Sequence, residues 1–252
     1  MKETQALIER VRRISDTHQQ LHVTVDASLA AIKPGQSVLA RVGEGWTPYL
    51  REHWWPVGQQ KNTLIFERPG DIHYEPGTVI SLIGAIGQPF RFRRTLRSVL
   101  LIAYCTDPAP LLMTIPALLA NKVSVTLLLL GTEYDTHHLP PEVEVLQGEI
   151  SDGATPADRL NWPNRVTTIG WADQVFIAVA QENELDSFRE MWALFSALRA
   201  DIPTSYLFGV FRPLLPCGVG ACSACMVRLK GTDTQLMCTD GPAIDLSKVT
   251  LT

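Results

Sequence analysis

The chain has 252 residues, 46% of them hydrophobic and 19% charged, with a formal net charge of −4. That length admits two small domains or one large one, and the composition is that of an ordinary globular protein. The charge is too small and of the wrong sign for nucleic acid or an anionic membrane surface.

The N-terminus, MKETQALIERVRR, is charged from the start, so no secretory signal is expected. Residues 1–95 carry the runs IERVRRIS, QLHVTVDA, SVLARV, NTLIFER and TVISLIGAIG. LHVTV alternates in hydropathy, and glycine or proline punctuates the gaps, which predicts a small antiparallel β-barrel. Residues 96–208 change character. LRSVLLIAY, VSVTLLLLG, EVEVLQGEI and DQVFIAVA read as strands, mostly continuous apolar runs covered on both faces in a parallel sheet, with helical segments between some of them. In the last helix Leu185, Phe188, Trp192, Phe195 and Leu198 recur near the helical period and predict a core-facing stripe. The longest apolar stretches, SVLLIAYC and VSVTLLLLG, fall far short of the ~20 residues a membrane span needs. A cytoplasmic protein, or a soluble subunit docked on something larger, is expected. Cys105 ends an apolar run and reads as a small buried hydrophobe. The six histidines (18, 22, 53, 73, 137 and 138) show no ligand spacing, and His137–His138 reads as an exposed loop.

Residues 209–252 hold four of the five cysteines, Cys217, Cys222, Cys225 and Cys238, spaced Cys-x4-Cys-x2-Cys-x12-Cys. Clustered cysteines in a chain without a secretory signal argue for a metal centre over disulfides. The C-x4-C-x2-C opening with a solitary fourth cysteine is the plant-type [2Fe–2S] spacing. Such a loop must bring backbone N–H groups close to the sulfurs, which demands small residues, and Gly218, Gly220, Ala221, Ser223 and Ala224 fill the gaps. A zinc site is the alternative. It usually shows two short knuckles, whereas here three cysteines share one loop.

This order of barrel, α/β domain and cysteine-rich tail resembles the electron-transfer subunit of the class 1B dihydroorotate dehydrogenases, within the ferredoxin-reductase fold. The tail CGVGACSACMVRL…MCTDGPAID carries the resemblance, with KPGQSVLARV, EPGTVISLIGAIGQPF and VEVLQGEISDG beside it. The resemblance implies FAD in the barrel, NAD(H) on the α/β domain, and a [2Fe–2S] cluster on Cys217, Cys222, Cys225 and Cys238 that passes electrons to a larger oxidoreductase subunit in a hetero-oligomer.

Two motifs depart from that family. Its flavin motif R-P-x-S/T falls on W-P-V-G, with Pro56 as the motif proline, Trp55 for the arginine and Gly58 for the hydroxyl residue; Arg51 is the candidate to replace the lost fork on the pyrophosphate. The segment LIFERPGDIHYEPG is also short for the family's second flavin turn, so FAD is expected to bind weakly or not at all, with Trp54 or Trp55 in its place. The family's two glycine turns for nicotinamide phosphates read CTDPAP and VAQENEL, so NAD(P)H binding is expected to be absent. The expected protein is a one-electron relay subunit that is not catalytic alone. The alternatives are a full FAD subunit oxidising NADH for dihydroorotate dehydrogenase, and a structural subunit stabilised by zinc.

Overall fold

Alternate residues of the first strands point inward, and this period of two builds the first half of the protein. The computed structural model describes residues 2–43 and 49–251. β1 (Lys2–Arg13) buries Thr4, Ala6 and Ile8, and β2 (His18–Thr24) buries Gln19, Leu21 and Val23. With β3 (Ser37–Val42), β4 (Glu52–Trp54), β5 (Pro56–Gln60), β6 (Thr63–Pro69) and β7 (Val79–Ile86) they form one sheet in the order β4-β3-β7-β1-β2-β6-β5, antiparallel throughout. Its two edge strands, β4 and β5, are consecutive in sequence with only Trp55 between them. A sheet whose opposite edges are joined by one residue has to curl back on itself, so the predicted barrel is present as a curled half-barrel. β4 and β5 are too short and too poor in alternation to be read from the sequence. Pro56 opens an edge strand, where a missing N–H breaks no ladder.

The second half follows the continuous apolar runs. β8 (Ser98–Tyr104) is buried along its length, as is β12 (Gln174–Val179). Between them lie α1 (Ala109–Leu112), α2 (Thr114–Ala120), β9 (Ser124–Leu130), β10 (Glu144–Ile150), α3 (Pro156–Arg159), β11 (Leu160–Asn161) and α4 (Arg165–Trp171), and after them α5 (Glu184–Leu198) and β13 (Leu207–Val210). Strands β10-β9-β8-β12-β13 pair in parallel, and β11 adds an antiparallel edge. The tail supplies the small hairpin β14 (Met226–Arg228) and β15 (Thr234–Leu236), then β16 (Ala243–Asp245), which pairs antiparallel with β13. β13 straddles residue 208, so the cysteine-rich segment is woven into the α/β sheet.

Two sequence expectations change. In α5 the buried residues are Phe188, Met191, Leu194 and Phe195, while Leu185 is 46% exposed. The stripe begins one turn later because the first turn of α5 faces solvent. Cys105 is exposed, not buried. It follows the last residue of β8, in the left-handed region (φ +50), and its N–H reaches Leu130 O at 2.9 Å. The strand ends one residue before the apolar run of the sequence does.

The halves are welded by aromatic stacking. Phe90, on the connection out of the barrel, stacks on Phe176 of β12 (4.9 Å, 14°), which stacks on Phe208 of β13 (5.1 Å, 13°). Arg93, on the same connection, donates to Thr204 O at 2.8 Å. The barrel therefore leaves the α/β sheet at a set angle, with a cleft on one side and the cysteine loop at its foot.

Candidate functional site

The cysteine loop is shaped by glycines in conformations other residues avoid. Gly218 (φ +66) lets the chain pass so close to the barrel that a Cβ there would lie 2.9 Å from Leu39 Cδ1 and 2.9 Å from Ile86 Cδ1. Gly220 (φ +77) turns its N–H onto Cys238 Sγ at 3.1 Å. The four sulfurs are arranged as two pairs. Cys225 and Cys238 are buried, with Sγ atoms 3.3 Å apart. Cys217 and the exposed Cys222 form the outer pair, within hydrogen-bond reach of each other.

The two pairs differ electrostatically. The N–H groups of Val219, Cys222 and Ala221 converge on Cys217 and hold its thiol down to about 6. Burial, with Cys225 beside it, pushes Cys238 up to about 12. Among the described residues no group of three or more His, Cys, Asp or Glu side chains converges as a single-ion site requires. Two pairs of thiols suit two metal ions with two thiolates each, the dinuclear arrangement.

The closing Asp-Gly-Pro holds the loop in place. Asp240 Oδ2 accepts from Leu236 N at 2.9 Å, Gly241 O accepts from Gln88 N at 2.6 Å, and Pro242 O accepts from Phe211 N at 2.9 Å. Cys238 O itself accepts from Gly87 N at 3.0 Å. The tail is thus clamped to the end of β7 and to the chain leaving β13. Residues 213–227 include no charged side chain, and Leu214, Val219, Cys222 and Met226 of this stretch are exposed.

Beside the loop lies an interdomain cleft of about 600 Å3, walled by His53, Trp55 and Arg68 of the barrel and by Asp107, Gln181 and Arg212 of the other half. Leu39 lines it and also lies against Gly218, and Leu214 and Leu215, just before Cys217, line it too, so cleft and cysteine loop are neighbours. Arg51 lines the cleft, but its guanidinium is committed to the barrel: Nη1 donates to Ser81 O and Oγ at 3.0 Å, and Nη2 pairs with Glu3 Oε1 at 2.5 Å. Pro56 is buried and pairs with Phe66. Trp54 is in the barrel core against Phe66 and Tyr74, under the Arg68 guanidinium (4.8 Å), whereas Trp55 faces the cleft and packs on His53 (4.8 Å).

In an open parallel sheet, ligands sit beyond the carboxyl ends of the strands where the strand order reverses. Here that point lies between β8 and β12. Arg212 occupies it. Its Nη2 donates to Val179 O at the end of β12 and to Thr106 Oγ1 (2.9 Å) just after β8. The VAQENEL segment braces Arg212: Gln181 Nε2 donates to Arg212 O at 2.6 Å, and Glu184 Oε1 accepts from Arg212 N at 2.6 Å. Asp107 Oδ1 accepts from Ala109 N at 2.7 Å, taking the N–H that a phosphate would need at the start of α1.

Sequence reading found no partners for the histidines, yet two of them tie the halves together. His18 Nε2 of β2 pairs with Asp107 Oδ2 at 2.6 Å. His138 Nε2 lies 3.1 Å from Glu67 Oε1 of β6, and Tyr134 donates to Glu67 Oε2 at 2.5 Å. His138 is therefore not a free loop residue. Arg212, His53 and Glu67 were likewise missed, because nothing in their local spacing marks them.

These contacts carry a pH dependence. The hydrogen bond that His18 donates to the Asp107 carboxylate raises His18 above the usual histidine range. That stabilisation is fully present below the unfolded value near 6.5 and is lost as pH rises through the folded value. Burial raises Glu184 to about 7, so the folded state binds an extra proton between the ordinary carboxyl range and about 7, and stability again falls as pH rises through that window. Both effects have the same sign. The burial that lowers His53 to about 3 acts in the opposite sense, with stability rising as pH rises towards the ordinary histidine value. The His18 and Glu184 contributions are therefore read as a difference: the melting temperature of the wild type minus that of a Glu184→Gln, Asp107→Asn double variant is expected to fall from about pH 5 to about pH 7. A difference that rises with pH over that range contradicts the assignment.

Residues 213–250 match the iron–sulfur cluster binding domain of dihydroorotate dehydrogenase B. No curated protein matches the chain in sequence. Among solved structures, it is similar to an NADH-dependent reduced ferredoxin–NADP oxidoreductase described for flavin-based electron bifurcation, at 16% identity over 97% of this chain and 89% of that one, with a TM-score of 0.70. It is also similar to a ferredoxin reductase of carbazole 1,9a-dioxygenase, at 14% identity over 82% of this chain and 68% of that one, with a TM-score of 0.57. A ferredoxin NADP+ reductase from Neisseria gonorrhoeae with bound FAD and NADP matches at 13% identity over 77% of this chain and 92% of that one, with a TM-score of 0.53. The fold is that of the ferredoxin reductases, and the tail is an iron–sulfur domain of the dihydroorotate dehydrogenase B type.

Proposed function

We propose that this ferredoxin-reductase-like chain, with its iron–sulfur domain of the dihydroorotate dehydrogenase B type, is a [2Fe–2S] electron-transfer subunit of a multi-subunit oxidoreductase. The observation that carries the reading is the division of the four cysteines into an inner buried pair and an outer exposed pair on a glycine loop. When bound, the cluster supplies one-electron transfer. The chain's part is to hold Cys225 and Cys238 out of water, to aim backbone N–H groups at the sulfurs, and to leave the Cys217–Cys222 side open. That open side is uncharged and carries exposed Leu214, Val219 and Met226, which suits close approach of a partner protein that gives or takes the electron. A one-electron carrier completes no reaction alone, so the partner is a larger catalytic subunit. No helix among the described residues is long and apolar enough to cross a membrane. The test is chemical: anaerobically purified protein should carry about two irons and two acid-labile sulfides per chain. Stoichiometric zinc without sulfide would refute it.

Nicotinamide is not the expected electron source. Arg212 fills the switch point, Asp107 occupies the phosphate end of α1, and Glu182 adds a further negative charge after β12. A dinucleotide would have to displace Arg212 from its bonds to Val179 O and Thr106 Oγ1 and bring its own anionic phosphates beside these carboxylates, which costs Coulomb energy. Calorimetry on the full chain should show no saturable NADH binding at micromolar concentration. A clear isotherm there would favour the reading of a complete NADH-oxidising subunit.

A further inference from the structure

A second groove, of about 540 Å3, lies where the connection out of the barrel meets β13, β16 and the β14–β15 hairpin of the tail. Phe92, Phe208, Leu229 and Ile244 give it an apolar lining. Arg91 of the connection and Lys248 of the tail line it too, and both are exposed. Among the described residues neither of these two side chains makes a hydrogen bond or an ion pair. The two carboxylates of the groove are turned to the backbone instead. Asp245 accepts from Ser205 N at 2.7 Å and from Ser247 N at 2.9 Å, and Asp240 accepts from Leu236 N at 2.9 Å.

The connection itself is basic. It reads RFRRTLR, with Arg91, Arg93, Arg94 and Arg97, and no Asp or Glu stands anywhere between Glu75 and Asp107. Among the described residues none of the four arginines is in an ion pair. Arg93 has a part in the fold, donating to Asp173 O and Thr204 O. Arg91, Arg94 and Arg97 are exposed and hold nothing in place through their side chains. Like charges this close in sequence repel one another, and they stand on a chain whose net charge is −4. The fold supplies no counter-charge for them, so the complementary carboxylates belong to another molecule. A nucleic acid suits the site less well than a protein does. It needs a track of cations, whereas here two free cations flank an apolar groove on an acidic chain.

We infer that this groove is a docking site for an acidic segment of the partner subunit, with carboxylates meeting Arg91 and Lys248 and an apolar side chain seated against Phe92, Phe208 and Ile244. The inference takes its partner from the reading of the chain as one subunit of a larger oxidoreductase, and adds where that partner is held and by what chemistry. The groove is continuous with the segment that carries Cys238. Asp240 and Gly241 line it, and Gln88 fixes that segment by donating from N to Gly241 O at 2.6 Å and from Nε2 to Thr239 O at 2.8 Å. It includes none of the exposed residues of the uncharged face, Leu214, Val219 and Met226. The division suits an electron-transfer pair. Complementary charge orients the partner at the groove, and the uncharged face is left for close approach.

The experiment starts from the complex purified from its native cells. Carbodiimide cross-linking, which joins a lysine amine to a carboxylate, should link Lys248 to an Asp or Glu of a different polypeptide. The partner is then separated and its affinity measured for the full chain and for an Arg91→Glu, Lys248→Glu variant. The variant should bind about tenfold or more weakly, with iron content and circular dichroism unchanged. Wild-type affinity should fall as salt is raised from about 50 to about 300 mM. If the double variant does not fold, Arg91→Gln provides the comparison, with a loss of about threefold. Unchanged affinity in the folded variants overturns the inference, as do cross-links from Lys248 that stay within the chain or reach only a second copy of it. Saturable binding of inorganic pyrophosphate or of a duplex oligonucleotide, abolished by the same substitutions, assigns the groove to another ligand and also overturns it. A partner that holds the variant as tightly as the wild type sinks the groove alone, whereas a chain that purifies from its native cells without any partner sinks the subunit reading with it.

Discussion

Replacing Cys238 by serine should strip the protein of iron and acid-labile sulfide, from about two of each per chain to near zero. Cys238 is 1% exposed, its Sγ sits 3.3 Å from Cys225 Sγ, and Gly220 N donates to it at 3.1 Å. Its own carbonyl is tied to Gly87 N at 3.0 Å. A serine oxygen is a harder ligand that prefers a shorter bond to metal, and a backbone held on both sides cannot move to provide it. The exposed Cys222 is the contrast. Its backbone lies on a solvent-facing turn, so Cys222→Ser should retain a cluster with a changed EPR spectrum in the reduced state. Iron and sulfide assays on both variants check the pair of outcomes. A Cys238→Ser protein with a full complement of iron and sulfide would show that this cysteine is not a ligand.

Gly218→Val should unfold the cysteine loop while leaving the rest of the fold recognisable by circular dichroism. The left-handed backbone at φ +66 costs an ordinary residue about 1–2 kcal/mol, and more with a β-branched side chain. The added carbons would meet Leu39 Cδ1 and Ile86 Cδ1, where a Cβ alone lies at 2.9 Å, and overpacking of that kind costs about 1–3 kcal/mol. Together these predict a loss of about 3 kcal/mol or more and a melting temperature lower by about 6–12 °C at this chain length. Gly231→Val separates the two causes. Gly231 shares the positive φ (+89) but a Cβ there meets nothing within 4 Å, so it should show only the backbone part. Equal shifts in the two variants would mean that the contact with the barrel is not what fixes Gly218.

The fold was legible where residues near in sequence share one physical cause. The buried runs of β8, β9 and β12 announced a parallel sheet, and the alternation in LHVTV announced the barrel. β4 and β5 were not legible, because three- and five-residue strands joined by Trp55 acquire their conformation from the sheet edges they complete, not from their own pattern. The error on Leu185 has a similar origin. Period alone cannot tell which end of an apolar stripe the rest of the protein covers.

Four cysteines and the glycines between them were enough to state a dinuclear iron–sulfur loop, because ligand spacing and permitted backbone angles are properties of a few adjacent residues. The tertiary structure alone decided everything about the cleft. Glu67 and Tyr134 are 67 positions apart, Arg212 and Val179 are 33, and His18 of the barrel meets Asp107 of the other half. A side chain with no local partner looks the same in sequence whether it ends in water or buried against a distant carbonyl. Only the packing of barrel against sheet, which buries Phe90, Phe176 and Phe208 in one stack, brings those groups within reach of each other and turns Arg212 from a loop arginine into the occupant of the switch point.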